Sequence, residues 1–163
     1  MSSRDNPPLI LGIDPGYDRI GWAIGQGASP KPTILDFGCI QTNKNDSLVE
    51  RYQAIEQQLQ QIITQYQPIA LAIETLFFSK NKTTALKVSE ARGVILSSCA
   101  RNKLDIFEYH PNQIKLTVTG NGHAHKAALE KMVHLQLDLP DQKIIDDAID
   151  AIGIVLTHVI LKR

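Results

Sequence analysis

The sequence has few cysteines, few aromatic residues and no net charge. Its two cysteines, Cys39 and Cys99, lie far apart and lack metal-type spacing, so neither a disulfide framework nor a cysteine-rich zinc site is expected. We expect both to be small core residues in a reducing compartment. Lysine plus arginine and aspartate plus glutamate each number 17, so the overall charge does not indicate a strongly basic nucleic-acid-binding protein.

Long hydrophobic runs are also missing. No apolar stretch approaches the length of a membrane-spanning helix, and the polar residues 1–6 do not resemble a signal peptide. We therefore expect a cytoplasmic protein with no membrane association. The 163 residues, 43% hydrophobic and 21% charged, are enough for a single domain over residues 1–163 with a sizeable core.

The charges are unevenly distributed along the chain. The stretch from Lys80 to Lys131 holds nine basic and four acidic residues, which gives it a charge of +5 and leaves −5 on the remainder. A basic stretch beside an acidic centre suits a polyanionic substrate. The simpler interpretation is that these lysines are scattered over solvent-facing helices, and on charge alone that interpretation is favoured.

Hydrophobic periodicity predicts five strands and five helices. Apolar runs bounded by turn residues predict strands, and apolar residues at helical spacing predict helices. The strands are expected at residues 9–14, 20–25, 33–42, 69–74 and 104–109, and the helices at 48–66, 83–102, 111–119, 125–137 and 144–161.

The order of these elements predicts an α/β fold with a five-stranded mixed sheet. Three strands joined by short turns form an antiparallel unit, and the following strand–helix alternation gives a βαβ unit flanked by helices. The crossover helix over 48–66 should return the fourth strand parallel to the first. If these two strands are neighbours, they end at the same edge of the sheet, where ligands bind in open α/β sheets.

Four carboxylates are the strongest functional signal. Asp14 and Glu74 each close an apolar strand, where an uncompensated charge is costly. Asp147 and Asp150 are three residues apart in the last helix and therefore share one face. Clustered carboxylates repel unless a cation joins them, so their convergence would indicate a divalent metal site and phosphodiester cleavage.

Each carboxylate also has a simpler structural interpretation. Asp14 can cap the turn at Pro15-Gly16, and Glu74 can form an ion pair at a strand end. Acidic residues in the first turn of a helix favour the macrodipole, an explanation that suits Asp146 at least as well as a metal site does. It is the combination of two strand-end acids with a helical pair that favours the metal site.

Five stretches resemble the RuvC family of Holliday-junction resolvases, within the ribonuclease H-like superfamily. They occur in the family's order, span nearly the whole chain, and are LGIDPG (11–16), AIETLFFSKN (72–81), TALKVSEARGVIL (84–96), FEYHPNQIKLTVTGNGHAHKAALEKMV (107–133) and DDAIDAIGIVLTH (146–158). The second and third are more specific than any single acidic motif.

The resemblance implies a ribonuclease H-like homodimeric endonuclease that nicks two opposed strands of a four-way DNA junction during recombination and repair. It implies two Mg²⁺ ions per active site, with Mn²⁺ able to substitute, and a possible complex with a branch-migration helicase. The catalytic and metal-binding acids map onto Asp14, Glu74, Asp147 and Asp150, with Asp146 as an alternative register for Asp147. The expected DNA-binding residues are Phe77, Lys80, Lys82, Lys115 and Lys126.

Alternative functions remain open at this point. The segment Arg19-Ile20-Gly21 also resembles a related pre-ribosomal-RNA nuclease family, so a nuclease acting on structured RNA is one alternative. A non-catalytic junction-binding protein is another, although it would be expected to lose the acids. His123 and His125 on a predicted loop could ligate a metal, but solvated histidines or a phosphate contact by His125 are the favoured interpretations.

Overall fold

The computed structural model of the chain describes residues 7–27, 31–76 and 82–162. The elements in chain order are β1 (Leu9–Asp14), β2 (Arg19–Gln26), β3 (Thr33–Gln41), α1 (Leu48–Tyr66), β4 (Ala70–Glu74), α2 (Lys82–Arg101), β5 (Asp105–Tyr109), α3 (Pro111–Thr119), α4 (Lys126–Gln136) and α5 (Asp146–Leu161). The predicted elements are all present, with ends within about two residues of expectation.

The strands form one mixed sheet in the order β3-β2-β1-β4-β5. β1 pairs antiparallel with β2 and parallel with β4, as the crossover through α1 predicted. Ile13 of β1 lies opposite Ile73 of β4, so the next residues along the two strands are Asp14 and Glu74. The predicted fold class is therefore confirmed, and both strand-end acids lie at the same sheet edge.

Alternation along the strands divides the core into two layers. Leu11, Ile13 and Ile73 face α1 and α2, where they join a fully buried cluster with Ile55 and Leu59. The intervening residues of β1 and β4 face α5, as Ile10 and Ala72 do. Because side chains alternate with a period of two, Asp14 and Glu74 fall on the α5 side of the sheet.

Small residues let α5 lie directly on the sheet. A methyl group built at Gly21 would collide with the carbonyl oxygen of Asp147, and one at Gly12 would collide with Ala151 and Val155. The absence of side chains at these positions therefore sets how closely the helix approaches β1 and β2. This close approach brings the first turn of α5, with its acidic residues, to the carboxyl edge of β1.

The outer face of α5 is covered as well. Leu129 and Val133 of α4 pack against Gly153, and Ile114 and Val118 of α3 join the same core cluster. Every residue from Ala151 to Val159 is buried, so the helix is enclosed on all sides rather than along the single apolar stripe that its sequence suggests. No helix among residues 7–27, 31–76 and 82–162 is long and apolar enough to cross a membrane.

Candidate active site

Asp14 and Glu74 form the centre of the site. Burial raises the pKa of Asp14 to about 8, and the carboxylates of Glu74, Asp150 and Asp147 act in the same direction. Burial and Asp150 raise the pKa of Glu74 to about 7, against the opposing effects of Lys115 and a hydrogen bond with Asp14. Both strand-end acids therefore lie in a pocket that disfavours their charged forms.

The first turns of α5 supply the other two predicted acids. Asp147 and Asp150 are largely covered, with 25% and 28% of their side chains exposed, whereas Asp146 is 63% exposed. Burial raises the pKa of Asp150, against the opposing effect of Lys126. The carboxylates that raise the pKa of Asp14 include Asp147 and Asp150, so all four predicted acids share one electrostatic environment.

The α5 acids are paired with two cations. Arg19 donates from Nε to Oδ2 of Asp147 at 2.8 Å, and its NH2 nitrogen lies 2.7 Å from the same oxygen. The Nζ atom of Lys126 lies 3.2 Å from Oδ2 of Asp150 and 3.5 Å from Oδ2 of Asp146. Lys126 contacts both Asp146 and Asp150, so the exposures and not the pairing separate these acids. The lower exposure of Asp147 and Asp150 favours them as the pair that faces the site.

Two of the predicted DNA-binding lysines lie beside the carboxylates. A cavity of about 260 Å³ is bounded by Glu74, Asp150, Lys115 and Lys126 on its polar side and by Pro111, Ile114, Leu129 and Ile154 on its apolar side. Phe77 and Lys80 lie outside the described residues. Lys82 begins α2 with an exposed side chain, and His123 and His125 are exposed before α4.

The donor set fits a hard divalent cation. Within the described parts of the chain, no three His, Cys, Asp or Glu side chains stand close enough to hold a metal ion as they are. Like charges repel when no cation lies between them. Asp147 is paired with Arg19 and Asp150 with Lys126. The raised pKa values of Asp14 and Glu74 mean that their charged forms are disfavoured, and a bound cation would stabilise those forms. Carboxylate oxygens are ligands that suit Mg²⁺.

Comparison with known proteins identifies the family. The family model described as "Crossover junction endodeoxyribonuclease RuvC" matches residues 10–158. The chain belongs to the RuvC family. The RuvC of Petrotoga mobilis is 42% identical over 150 residues, which cover 92% of each chain. That of Brachyspira hyodysenteriae is 44% identical over 151 residues, also 92% of each chain.

A solved RuvC structure agrees with the fold. Thermus thermophilus RuvC in complex with Holliday junction substrate superposes with a TM-score of 0.88 at 28% identity, covering 96% of this chain and 95% of that one. The predicted resemblance and the ribonuclease H-like fold are thereby confirmed. RuvC proteins are metal-dependent nucleases, so the enzyme class predicted from the four acids is confirmed too.

Two arginines near the RuvC-type acids were not predicted as site residues. Arg92 of α2 donates from Nε to the carbonyl oxygen of Glu74 at 3.3 Å and pairs with Glu108 of β5. It thus anchors the last residue of β4 from the opposite side of the sheet. The sequence feature that could have identified Arg92 is its position within the family-like stretch TALKVSEARGVIL. Arg19 lay in the segment that resembled a different nuclease family, and nothing local to it indicated its partner Asp147.

Proposed function

We propose that the protein is a structure-selective endodeoxyribonuclease that resolves Holliday junctions by paired nicks in two opposed strands during recombination and repair. The observation that carries the proposal is the placement of Asp14, Glu74, Asp147 and Asp150 in one electrostatic environment at the carboxyl edge of the sheet. Membership of the RuvC family supports the substrate class. We also propose that residues 1–163 act as one domain and that the protein works in the cytoplasm.

In this proposal the four acids hold two Mg²⁺ ions, with Mn²⁺ as a substitute. When bound, the ions would supply Lewis-acid activation of the attacking water and stabilisation of the leaving 3′ oxygen. Asp14 would be the central ligand of the set, because the carboxylates of all three other acids act to raise its pKa. Glu74 is fixed on one side of it by Arg92, and the α5 acids approach it on the other.

Lys115 and Lys126 are proposed to bind the DNA strand that is cut. Both line the cavity beside Glu74 and Asp150, so a phosphate held there would lie against the carboxylate cluster. The pairing of Lys126 with Asp150 keeps its ammonium group at the site in the absence of DNA. We propose that Lys126 stabilises the charge that develops on the attacked phosphate, and that Phe77, Lys80 and Lys82 add further DNA contacts.

A homodimer is part of this proposal, because a junction has near two-fold symmetry and requires two cuts. Support comes from α2, whose residue Leu86 is 61% exposed, and from a groove between α1 and α2 that is lined by Tyr52, Gly93 and Val94 among others. We propose that this face pairs with a second copy. A branch-migration helicase complex is proposed as a further partner on the family resemblance alone.

The test of the catalytic proposal is Asp14→Asn. The substitution removes the central carboxylate, so cleavage of a mobile four-way DNA junction with Mg²⁺ should be abolished. Junction binding in Ca²⁺ should persist, because it depends on lysines and shape. Asp138→Asn is the matched control, since its side chain is 98% exposed on the α4–α5 connection. It should cleave normally.

Parallel reactions with linear duplex and structured RNA test the substrate class. Symmetric nicking of the junction alone is the expected result. Cleavage of structured RNA in preference to the junction would favour the RNA nuclease alternative. Junction binding without cleavage in Mg²⁺ or Mn²⁺ would favour a non-catalytic binding protein, and full cleavage by Asp14→Asn would remove Asp14 from the mechanism.

A further inference from the structure

Arg19 is the first residue of β2, and it lies on the side of the strand that faces α5. Residues 19 and 21 share this side because strand side chains alternate. At Gly21 the backbone of β2 lies directly against the carbonyl of Asp147, with no room for a side chain. Arg19, two residues earlier, is therefore placed within reach of the Asp147 carboxylate, 128 residues away in sequence.

The contact between Arg19 and Asp147 is directed at one oxygen. Nε of Arg19 lies 2.8 Å and its NH2 nitrogen 2.7 Å from Oδ2 of Asp147. Two nitrogens on a single oxygen hold the position of Oδ2, and neither contact is made to Oδ1. Such a fork is specific to arginine, whose guanidinium is planar and carries its donors in fixed directions.

The backbone that presents Arg19 is itself held in place. Its neighbour Asp18 pairs with Arg51, which is buried in α1. Arg51 also donates to the carbonyl oxygen of Tyr17 at 3.2 Å, and the amide of Thr42 donates to the carbonyl oxygen of Asp18 at 3.0 Å. An ordinary exposed ion pair loses much of its value to side-chain entropy. Here the turn that precedes Arg19 is already ordered, so only the side chain of Arg19 loses freedom when the pair forms.

We propose that Arg19 is a positioning residue that orients Asp147 for metal binding. The inference rests on the proposed role of Asp147 as a ligand. The opposite role, a cation that competes with the metal for Asp147, is disfavoured by geometry because the fork engages only Oδ2. Repulsion between Arg19 and the ion is weakened because 48% of the arginine side chain is exposed to screening solvent. Residues that hydrogen-bond a ligand commonly contribute about 10–100-fold to metal affinity.

The experiment is a Mn²⁺ titration of the DNA-free protein, followed by the electron paramagnetic resonance signal of free Mn²⁺. Arg19→Gln should weaken Mn²⁺ binding by about 10–100-fold. Arg19→Lys should recover part of the loss, since an ammonium can donate to Oδ2 but cannot form the fork. Lys31→Gln is the matched control, because it breaks an exposed pair between Lys31 and Asp138 away from the site, and it should bind Mn²⁺ normally.

Asp147→Asn and the double variant separate the two levels of the proposal. Asp147→Asn should weaken Mn²⁺ binding, and adding Arg19→Gln to it should cause no further loss. If Asp147→Asn binds like the unsubstituted protein, the ligand assignment fails. If it binds weakly while Arg19→Gln binds normally or more tightly, only the Arg19 inference is overturned. Loss of junction affinity by Arg19→Gln with unchanged Mn²⁺ binding would likewise overturn it, in favour of a phosphate contact.

Discussion

At the scale of single residues, the protonation of Asp14 links the active site to stability. Its ordinary pKa of 3.8 rises to about 8 in the folded protein because the group is buried among other carboxylates. Between these two pH values the folded protein holds a proton that the unfolded chain has released. The free energy of unfolding therefore falls as pH rises across this interval, and the contribution of Asp14 is greatest in acid. Glu74 acts in the same direction.

This sign predicts a pH-dependent effect of metal. In EDTA, the Tm should be lower at about pH 8.5 than at about pH 6. Each kcal/mol lost from the free energy of unfolding should lower the Tm by about 2–4 °C. Mg²⁺ should raise the Tm more at the higher pH, because ions and protons compete for the same oxygens. Differential scanning calorimetry checks both. In Asp14→Asn, the Tm measured without metal should depend less on pH. An unchanged pH dependence in this variant would contradict the attribution of the effect to Asp14.

Lys126 provides a second prediction at this scale. Lys126→Gln removes the positive charge that lies beside Asp150 and lines the cavity. We expect kcat for junction cleavage to fall by about 10²–10³-fold, as for loss of a group that stabilises transition-state charge. Junction affinity in Ca²⁺ should change little, since only one phosphate contact is lost. Lys143→Gln, at an exposed loop position, is the control. An unchanged kcat would exclude this role.

The sequence allowed the four acids to be predicted but not their partners. Asp14 and Glu74 stand at the ends of recognisable strands, and the spacing of Asp147 and Asp150 follows from helical geometry. Arg19 pairs with Asp147, which is 128 residues away in sequence, and Arg92 of α2 donates to the backbone carbonyl oxygen of Glu74 at the end of β4. Such contacts depend on how deeply helices pack onto the sheet, and no periodic pattern carries that information.

At the scale of elements, the packing of α5 on β2 is the decisive feature. Gly21→Ala would place a methyl group against the backbone of Asp147, and backbone cannot move aside cheaply. We expect a loss of about 1–3 kcal/mol in the free energy of unfolding, as for overpacked cores. Cleavage should fall as well, because α5 carries Asp147 and Asp150. Chemical denaturation and junction cleavage measure the two effects.

Gly153→Ala is the matched control on the opposite side of α5. Its added methyl group would meet Leu129 and Val133 at 3.5 and 3.8 Å, which are ordinary contacts. Replacing a glycine inside a helix should then stabilise the protein by about 0.5–1 kcal/mol and leave cleavage intact. Equal effects of the two substitutions would argue against a special role for the β2 contact.

The same packing explains what was and was not predictable about the elements. Strand and helix ends followed from turn residues such as Pro68, Pro111 and Gly120, which act locally. The sequence of α5 suggested one apolar stripe, whereas the helix is enclosed by the sheet and by α3 and α4. That enclosure depends on where α3 and α4 return, which is a property of the tertiary fold.

At the scale of the whole molecule, the proposed dimer predicts how cuts are paired. Leu86→Glu places a charge on the exposed face of α2 and should shift the protein toward monomer in sedimentation velocity at micromolar concentration. Junctions should then receive single nicks rather than paired ones. Leu135→Glu is the control, since Leu135 is 68% exposed on α4. A monomeric unsubstituted protein, or a dimeric Leu86→Glu variant, would contradict the proposed interface.

The glycine contacts beneath α5 have one more consequence. Because Gly12 and Gly21 let α5 pack directly on the strands, a side chain added at either position should displace the helix that carries Asp147 and Asp150. Loss of the acids' alignment should then precede global melting. Random mutagenesis screened for temperature-sensitive alleles, which are active at low temperature and inactive at high temperature, should accordingly recover substitutions at these glycines.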